Sequence, residues 1–419
     1  MSKPEAGELQ ISTQQDVSPP DAMRWAVLAG VWLIYSTFGM VAASLAPLVP
    51  HIIRDLEIGH TMMGAIFGAW QLVFIFAAIP CGSLLDRIGV ERGLLLGTAA
   101  IAASAMLRGV ATADWQMLVA VGVFGIGGPI VSTGAPKIIA QWFKGSERGL
   151  AMGIYITGPA LGGVVALAAT NSLLMPWFDN NWRAVMWFWA GCAIVAGTVW
   201  LLLSRHPKLR VEVKSKEQRQ PVSQLSVVGE LLQIRAVQII MLMSVAIFAI
   251  NHGLVNWLPE ILRSKGLTAV EAGYWATLPT LFGLAGSLLI PRLATRERRY
   301  TILLGLCLTS TLATICLQAD IGTTLVGGLF LQGIARSSMM TVAMLTLIET
   351  PKIGEARAAT ASGLFFSAAE IGGTGGPLVL GMLHASSGDF STGLVFLTLV
   401  GIFLVGSTLY LKRISQEAG

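Results

Sequence analysis

Charge is what this chain has least of. Asp, Glu, Lys and Arg make up 12% of its 419 residues, about half the ~25% typical of soluble proteins. A water-facing surface cannot be built from so few. Apolar residues make up 54% and run along the whole length, which excludes a soluble domain on a single anchor. The four cysteines, Cys81, Cys192, Cys307 and Cys316, stand apart in apolar runs, with neither metal-ligand spacing nor a disulfide framework. The histidines are equally dispersed, so no metal site is expected and no cluster suggests an intramembrane protease. A Gly-x-x-x-x-Gly-Lys-Ser/Thr loop is missing, which removes an ATP-driven pump. No cofactor is expected, and the chain does not read as an enzyme. Residues 1–23 lack the layout of a cleavable signal.

What is present is a series of apolar runs, each near the ~20 residues needed to cross a bilayer. They lie at about 25–49, 61–81, 93–112, 117–142, 149–174, 184–204, 236–258, 269–290, 301–318, 323–348, 358–383 and 391–411. The expected fold is an all-α polytopic membrane protein of twelve transmembrane helices in two pseudo-symmetric six-helix halves. The expected boundaries are an N-terminal tail 1–24, a first half 25–204, a central loop 205–235, a second half 236–411 and a C-terminal tail 412–419.

The net charge of +5 matters through its placement and gives no reason to expect nucleic acid. Of the 28 Lys and Arg, only Arg54, Arg108, Arg183, Arg263 and Lys265 fall in segments on one side. The tails, with Lys3 and Lys412, the central loop and turns holding Arg87, Arg92, Arg292 and Lys352 fall on the other. The positive-inside rule puts that basic side, and both termini, in the cytoplasm of a cell-membrane protein.

The halves are related. A shift of 209 positions lays Pro50–Leu72 on Pro259–Leu281 without a gap and matches Pro50 with Pro259, Ile52 with Ile261, Arg54 with Arg263, Gly64 with Gly273 and Leu72 with Leu281. Glu147 and Glu355 open the fifth helix of their halves. Such repeats mark transporters built of two related halves around a mid-membrane site.

The segment after the second run reads Gly82-Ser-Leu84-Leu-Asp86-Arg87-Ile-Gly89-Val-Glu-Arg92. It resembles the cytoplasmic signature of the major facilitator superfamily, and the resemblance covers roughly 25–411. It implies a secondary transporter working by alternating access, with Gly82, Asp86, Arg87, Gly89 and Arg92 forming a conformational latch. The departure is Val90-Glu91, where the superfamily usually has basic residues; Arg92 is the expected replacement partner for Asp86. The second-half copy, Gly286 to Arg299, has lost the acidic residue. Gly158-Pro159-Ala-Leu-Gly162-Gly163 resembles a superfamily motif associated with antiporters and marks a helix bend; small residues there also serve close packing. A narrower resemblance, to the cyanate-permease and nitroimidazole-transporter group, rests on Pro136–Gly153 and on Asn251-His252-Gly253-Leu-Val-Asn256-Trp257-Leu258-Pro259-Glu260. It implies small anions or small polar organic molecules.

An ionisable side chain in the hydrocarbon costs at least ~2.5–3.5 kcal/mol on insertion scales, so each needs a reason. Arg336 and Glu370 fall at similar depth on consecutive antiparallel helices. Either Arg336 holds an anionic substrate with Glu370 as partner or proton site, or the two form a permanent ion pair. Lys137 either meets an anion or snorkels to the headgroups. Asn251 and His252, beside Gly253, suggest a broken seventh helix with His252 as a titratable group. Tyr35, Gln71 and Gln332 lie at mid-depth and complete the candidate substrate set; Glu370 and His252 are the candidate proton-coupling pair. Trp177, Trp182, Trp187 and Trp257 are expected at the membrane interfaces. The expected partners are the lipid bilayer, a small, anionic substrate, and protons or a counter-substrate; the oligomeric state, including a monomer, is open. Two functions compete: transport of a small anion of the cyanate or short-organic-acid type, and proton-driven export of a drug-like or nitroaromatic compound.

Overall fold

The computed structural model describes residues 21–205, 224–350 and 353–417. Lys3 and most of the N-terminal tail, the basic stretch 206–223 and Lys352 lie outside the described residues. Every regular element among those described is helical, as a bilayer requires of a chain whose backbone groups must be satisfied within each span.

The spans are α1 (Asp21–Ala43), α2 (His60–Ile88), α3 (Val90–Val110), α4 (Asp114–Trp142), α5 (Gly145–Tyr155 continued by Thr157–Ala169), α6 (Trp182–Ser204), α7 (Arg235–Ser264), α8 (Ala269–Leu293), α9 (Arg299–Cys316), α10 (Thr323–Ile348), α11 (Gly354–Ser387) and α12 (Ser391–Glu417). Eleven of them are long and apolar enough by composition alone to cross a membrane. The exception is α11, whose Gly-Gly-Thr-Gly-Gly centre and Glu370 lower its hydropathy. It spends that polarity against protein, packing chiefly on α7 and α2. Twelve crossings put residues 21 and 417 at one end of the bundle, here the near end.

Within each half the same pairs recur: α1 with α5 and α7 with α11, α2 with α4 and α8 with α10. Glycines set these approaches. A Cβ placed on Gly162 would stand 1.9 Å from the Ser36 carbonyl oxygen, and one on Gly372 1.9 Å from that of Val245. Neither helix pair admits a side chain there. The Gly158-Pro159 motif therefore serves packing of α5 on α1. The expected bend is also present: Pro159 has no N–H for the Tyr155 carbonyl, and the helix is interrupted at Ile156.

The halves meet at the far end, through α2 against α11 and α5 against α8. Gly68 and Gly64 face the carbonyls of Thr374 and Pro377, Gly381 faces that of His60, and Gly273 faces that of Leu167. At the near end of three of the same helices, Gly82, Gly149, Gly153 and Gly363 have nothing within 4 Å of a would-be Cβ. The bundle is closed at the far end and parted at the near end.

Two expectations change. The signature after the second run is not a long turn: α2 stays helical through Ile88, and Gly89, at φ 86°, makes the turn alone. Trp182 and Trp257 are buried against protein and do not face lipid; Trp257 Nε1 donates to the Pro377 carbonyl at 2.8 Å. Trp177 and Trp187 are exposed, as anchors would be.

Candidate functional site

A cavity of about 350 Å³ lies between the halves, walled by α1, α2, α5, α7, α8 and α10. Its volume is in the usual range for small-molecule sites, ~300–1,000 Å³.

Arg336, midway along α10, stands in this wall. Its Nη1 reaches Thr280 Oγ1 at 3.4 Å, and no carboxylate of the described residues lies within 4.0 Å of its guanidinium. The permanent ion pair with Glu370 is therefore not formed. Gln332, one turn before Arg336 on the same helix, also lines the cavity, and its Oε1 is buried without a hydrogen-bond partner.

Glu370, midway along α11, is 6% exposed, and its Oε2 has no hydrogen-bond partner. It belongs to a cluster the sequence does not bring together. Around Gly373, one turn further on, converge Glu370 Oε2, the Gln71 side chain from α2 and the His252 ring from α7, at 2.7, 3.2 and 3.4 Å from a would-be Cβ. Gln71 Nε2 is 3.1 Å from His252 Nδ1. With the amide nitrogen donating, the neutral ring carries its proton on Nε2. His252 also lines the cavity, so one imidazole joins the Arg336 wall to the Glu370 cluster.

The seventh helix is not broken at Asn251–Gly253; α7 runs unbroken from Arg235 to Ser264. Gly253 lies against Leu380 and Gly376 of α11, which accounts for a glycine without an unwound backbone. Asn251 is absent from the cavity lining, and its Oδ1 is buried without a partner. The asparagine on the cavity is Asn256, whose amide donates to the His252 carbonyl at 2.8 Å. Asn256 and Thr280 went unnoticed as site residues because each sits within an ordinary apolar run; their helical register with His252 and Arg336 is the signal that finds them.

Tyr35 stands behind the cavity, stacked on Tyr155 at 5.7 Å and tilted on Phe38 at 5.6 Å. The first-half wall is made instead by Phe38 and Trp70, with Ile156, Pro159 and Leu167. Trp70 is held edge-to-face on Phe124 and on His252, at 5.4 and 5.8 Å between ring centres.

Lys137 is not on the cavity. Its Nζ lies 2.7 Å from Asp86 Oδ1, both side chains well exposed. Asp86 thus has a cation, but from α4 and not from Arg92; Arg87 and Arg92 are exposed at the same turn. Arg108, expected among the few cations of the less basic side, is not at the surface. It is 1% exposed within α3, its Nη1 donating to the Val41 carbonyl at 2.8 Å.

Residues 31–320 and 258–418 match the family model described as the Major Facilitator Superfamily, and the chain belongs to that superfamily. Among curated relatives, it is 23% identical to a "Probable galactarate/D-glucarate transporter GudP" of Bacillus subtilis, over 90% of this chain and 89% of that one. It is 24% identical to a "D-galactonate transporter" of Escherichia coli O6:H1, over 96% and 98%. Among solved structures, the nucleoside transporter NupG superposes with a TM-score of 0.78 at 12% identity, over 93% of this chain and 99% of that one. A bacterial homolog of the human lysosomal transporter Spinster, in an inward-facing and unoccupied conformation, gives 0.74 at 17% identity, over 95% and 98%. At these identities the structural likeness concerns the fold. The chain is a multi-pass membrane transporter and not an enzyme.

Proposed function

We propose that this protein carries a small organic anion across the cell membrane by alternating access, with Arg336 as the anion site. The observation that carries the reading is a mid-membrane guanidinium, facing a cavity between the halves, with no carboxylate of the described residues within 4.0 Å to neutralise it. A cation kept unpaired at that depth costs free energy, and a bound anion removes the cost. The loaded site then closes more readily than the empty one, which is what coupled transport requires. Relatives named for galactarate, D-glucarate and D-galactonate support an organic acid as the cargo class. The narrower likeness to cyanate and nitroimidazole transporters rests on the Pro136–Gly153 and Asn251–Glu260 strings alone.

The near end, with its basic turns, is read as cytoplasmic, so the parted state opens inward. The Gln71–His252–Glu370 cluster is the coupling element. Glu370 takes a proton as the site changes access, and His252 relays its state to the cavity. The test is counterflow in proteoliposomes with labelled organic anions, with and without an imposed pH gradient. Exchange of an anion, lost in Arg336→Gln, supports the reading. Folded protein that exchanges no anion overturns it in favour of export of neutral or cationic compounds.

A further inference from the structure

We infer that the cargo is a monocarboxylate with a flat apolar or aromatic body, rather than a polyhydroxylated sugar acid. This rests on the anion reading of Arg336 and narrows it.

The basis is the asymmetry of the cavity. Nearly all the hydrogen-bonding side chains on it come from the second half: His252, Asn256, Thr280, Gln332 and Arg336. The first half contributes Phe38 and Trp70, with glycine, alanine, proline and aliphatic side chains, and its one side-chain hydrogen-bonding group is the Trp70 indole N–H. One wall hydrogen-bonds and the opposite wall is apolar but for that single donor. A sugar acid bears a hydroxyl on each carbon of its chain, and in this cavity most of those turned to the first-half wall would lose water without gaining a partner. Each such group weakens binding by about tenfold. A ring or branched apolar body instead lies against Phe38 and Trp70 while its carboxylate meets Arg336.

The charge count points the same way. Arg336 is the one permanent cation on the cavity among the described residues. Lys137, the other candidate, is held by Asp86, and His252 Nδ1 is engaged by Gln71. A dicarboxylate would leave its second charge uncompensated in a low-dielectric site. Thr280 and Gln332, the polar side chains of the second-half wall near Arg336, suit one hydroxyl or amide substituent near the carboxylate.

The experiment is competition for counterflow in proteoliposomes with benzoate, acetate, galactonate and galactarate. The expected result is a half-saturation for benzoate at least tenfold below those of galactonate and galactarate. Trp70→Leu should collapse the preference for benzoate over acetate, and Arg336→Gln should end exchange of all four. Tighter exchange of either sugar acid than of benzoate overturns the inference but leaves the anion reading standing. So does Trp70→Leu that weakens benzoate and acetate equally. No exchange of any anion by folded protein overturns both. Should Trp70→Leu fail to fold, the ranking in the unmodified protein decides.

Discussion

Gly64 and Gly273, 209 residues apart, occupy the same place in opposite halves. A Cβ on Gly64 would stand 2.5 Å from the Pro377 carbonyl oxygen of α11, and one on Gly273 2.5 Å from the Leu167 carbonyl oxygen of α5. Both contacts cross between the halves at the far end, and both meet backbone, which cannot rotate away. Overpacking of this kind costs about 1–3 kcal/mol, enough to move a two-state equilibrium by about fivefold to a hundredfold. Gly64→Val and Gly273→Val are each expected to hold the far end open. The check is a cysteine introduced at Ala43, on the cavity, labelled by a membrane-impermeant thiol reagent from the far side. Labelling should rise in both variants and transport should fall. Unchanged labelling would mean that these contacts do not hold the far end shut.

That pair also shows what the sequence makes legible. Span count, helix order and the 209-residue repeat follow from hydropathy and from a string comparison, and Gly64 and Gly273 are two of the positions so matched. Depth is equally readable, because it is a count of residues along a helix; Arg336 and Glu370 do lie midway along their spans. Lateral neighbours are different. Equal depth on consecutive helices made an Arg336–Glu370 pair natural, yet α11 turns Glu370 toward α2 and α7 because its glycines seat it against Val245 and Ala249. Lys137 departs from its expected place for the same reason: its direction around α4, toward Asp86, is set by packing and not by position along the chain. The polar register of α7, α8 and α10 was readable in principle; the apolar partner wall needed the fold.

Lys137 and Asp86 make an exposed ion pair, a class worth about 0–1 kcal/mol. Lys137→Gln should therefore leave the unfolding midpoint in detergent almost unchanged. Because Lys137 does not reach the cavity, anion affinity in equilibrium binding should also stay within about twofold, under ~0.4 kcal/mol. A large loss of affinity would return Lys137 to the substrate site. The exchange rate is the quantity expected to change, since Asp86 then loses its partner in the state parted at the near end.

Glu370→Gln keeps the shape of the protonated carboxyl and removes its titration. Oε2 has no hydrogen-bond partner and lies beside Gln71 and His252. An amide there should be tolerated in folding. Exchange of anion for anion should persist, while accumulation driven by a pH gradient should vanish. Unaltered pH dependence in this variant would remove Glu370 from the coupling step.

The two buried arginines test whether the site has been assigned to the right cation. Arg108 lies in α3, where its Nη1 donates to the Val41 carbonyl at 2.8 Å and reaches Ser44 Oγ at 3.4 Å, with its guanidinium 5.6 Å from the Phe124 ring centre. Val41 belongs to the last turn of α1, which ends at Ala43, and carbonyls there have no helical donor. Ser44 Oγ also donates to that carbonyl at 2.8 Å, so Arg108 adds a second donor there, and its charge is spread against carbonyl, hydroxyl and aromatic face. It does not line the cavity. Arg108→Leu removes a charge-assisted hydrogen bond from a buried site and should destabilise the fold by about 1–3 kcal/mol, read as a lower unfolding midpoint in detergent. Arg108→Lys should recover only part of it, because an ammonium lacks the planar fork. In whatever protein remains folded, half-saturation for the anion should be near that of the parent. Arg336→Gln should behave in the opposite way, ending anion binding while the midpoint changes little, because its one side-chain hydrogen bond among the described residues is the long, 3.4 Å approach to Thr280. If Arg108 variants lost anion affinity at an unchanged midpoint, the anion would have to be sought in the first half, and the cavity would lose its claim to be the binding site.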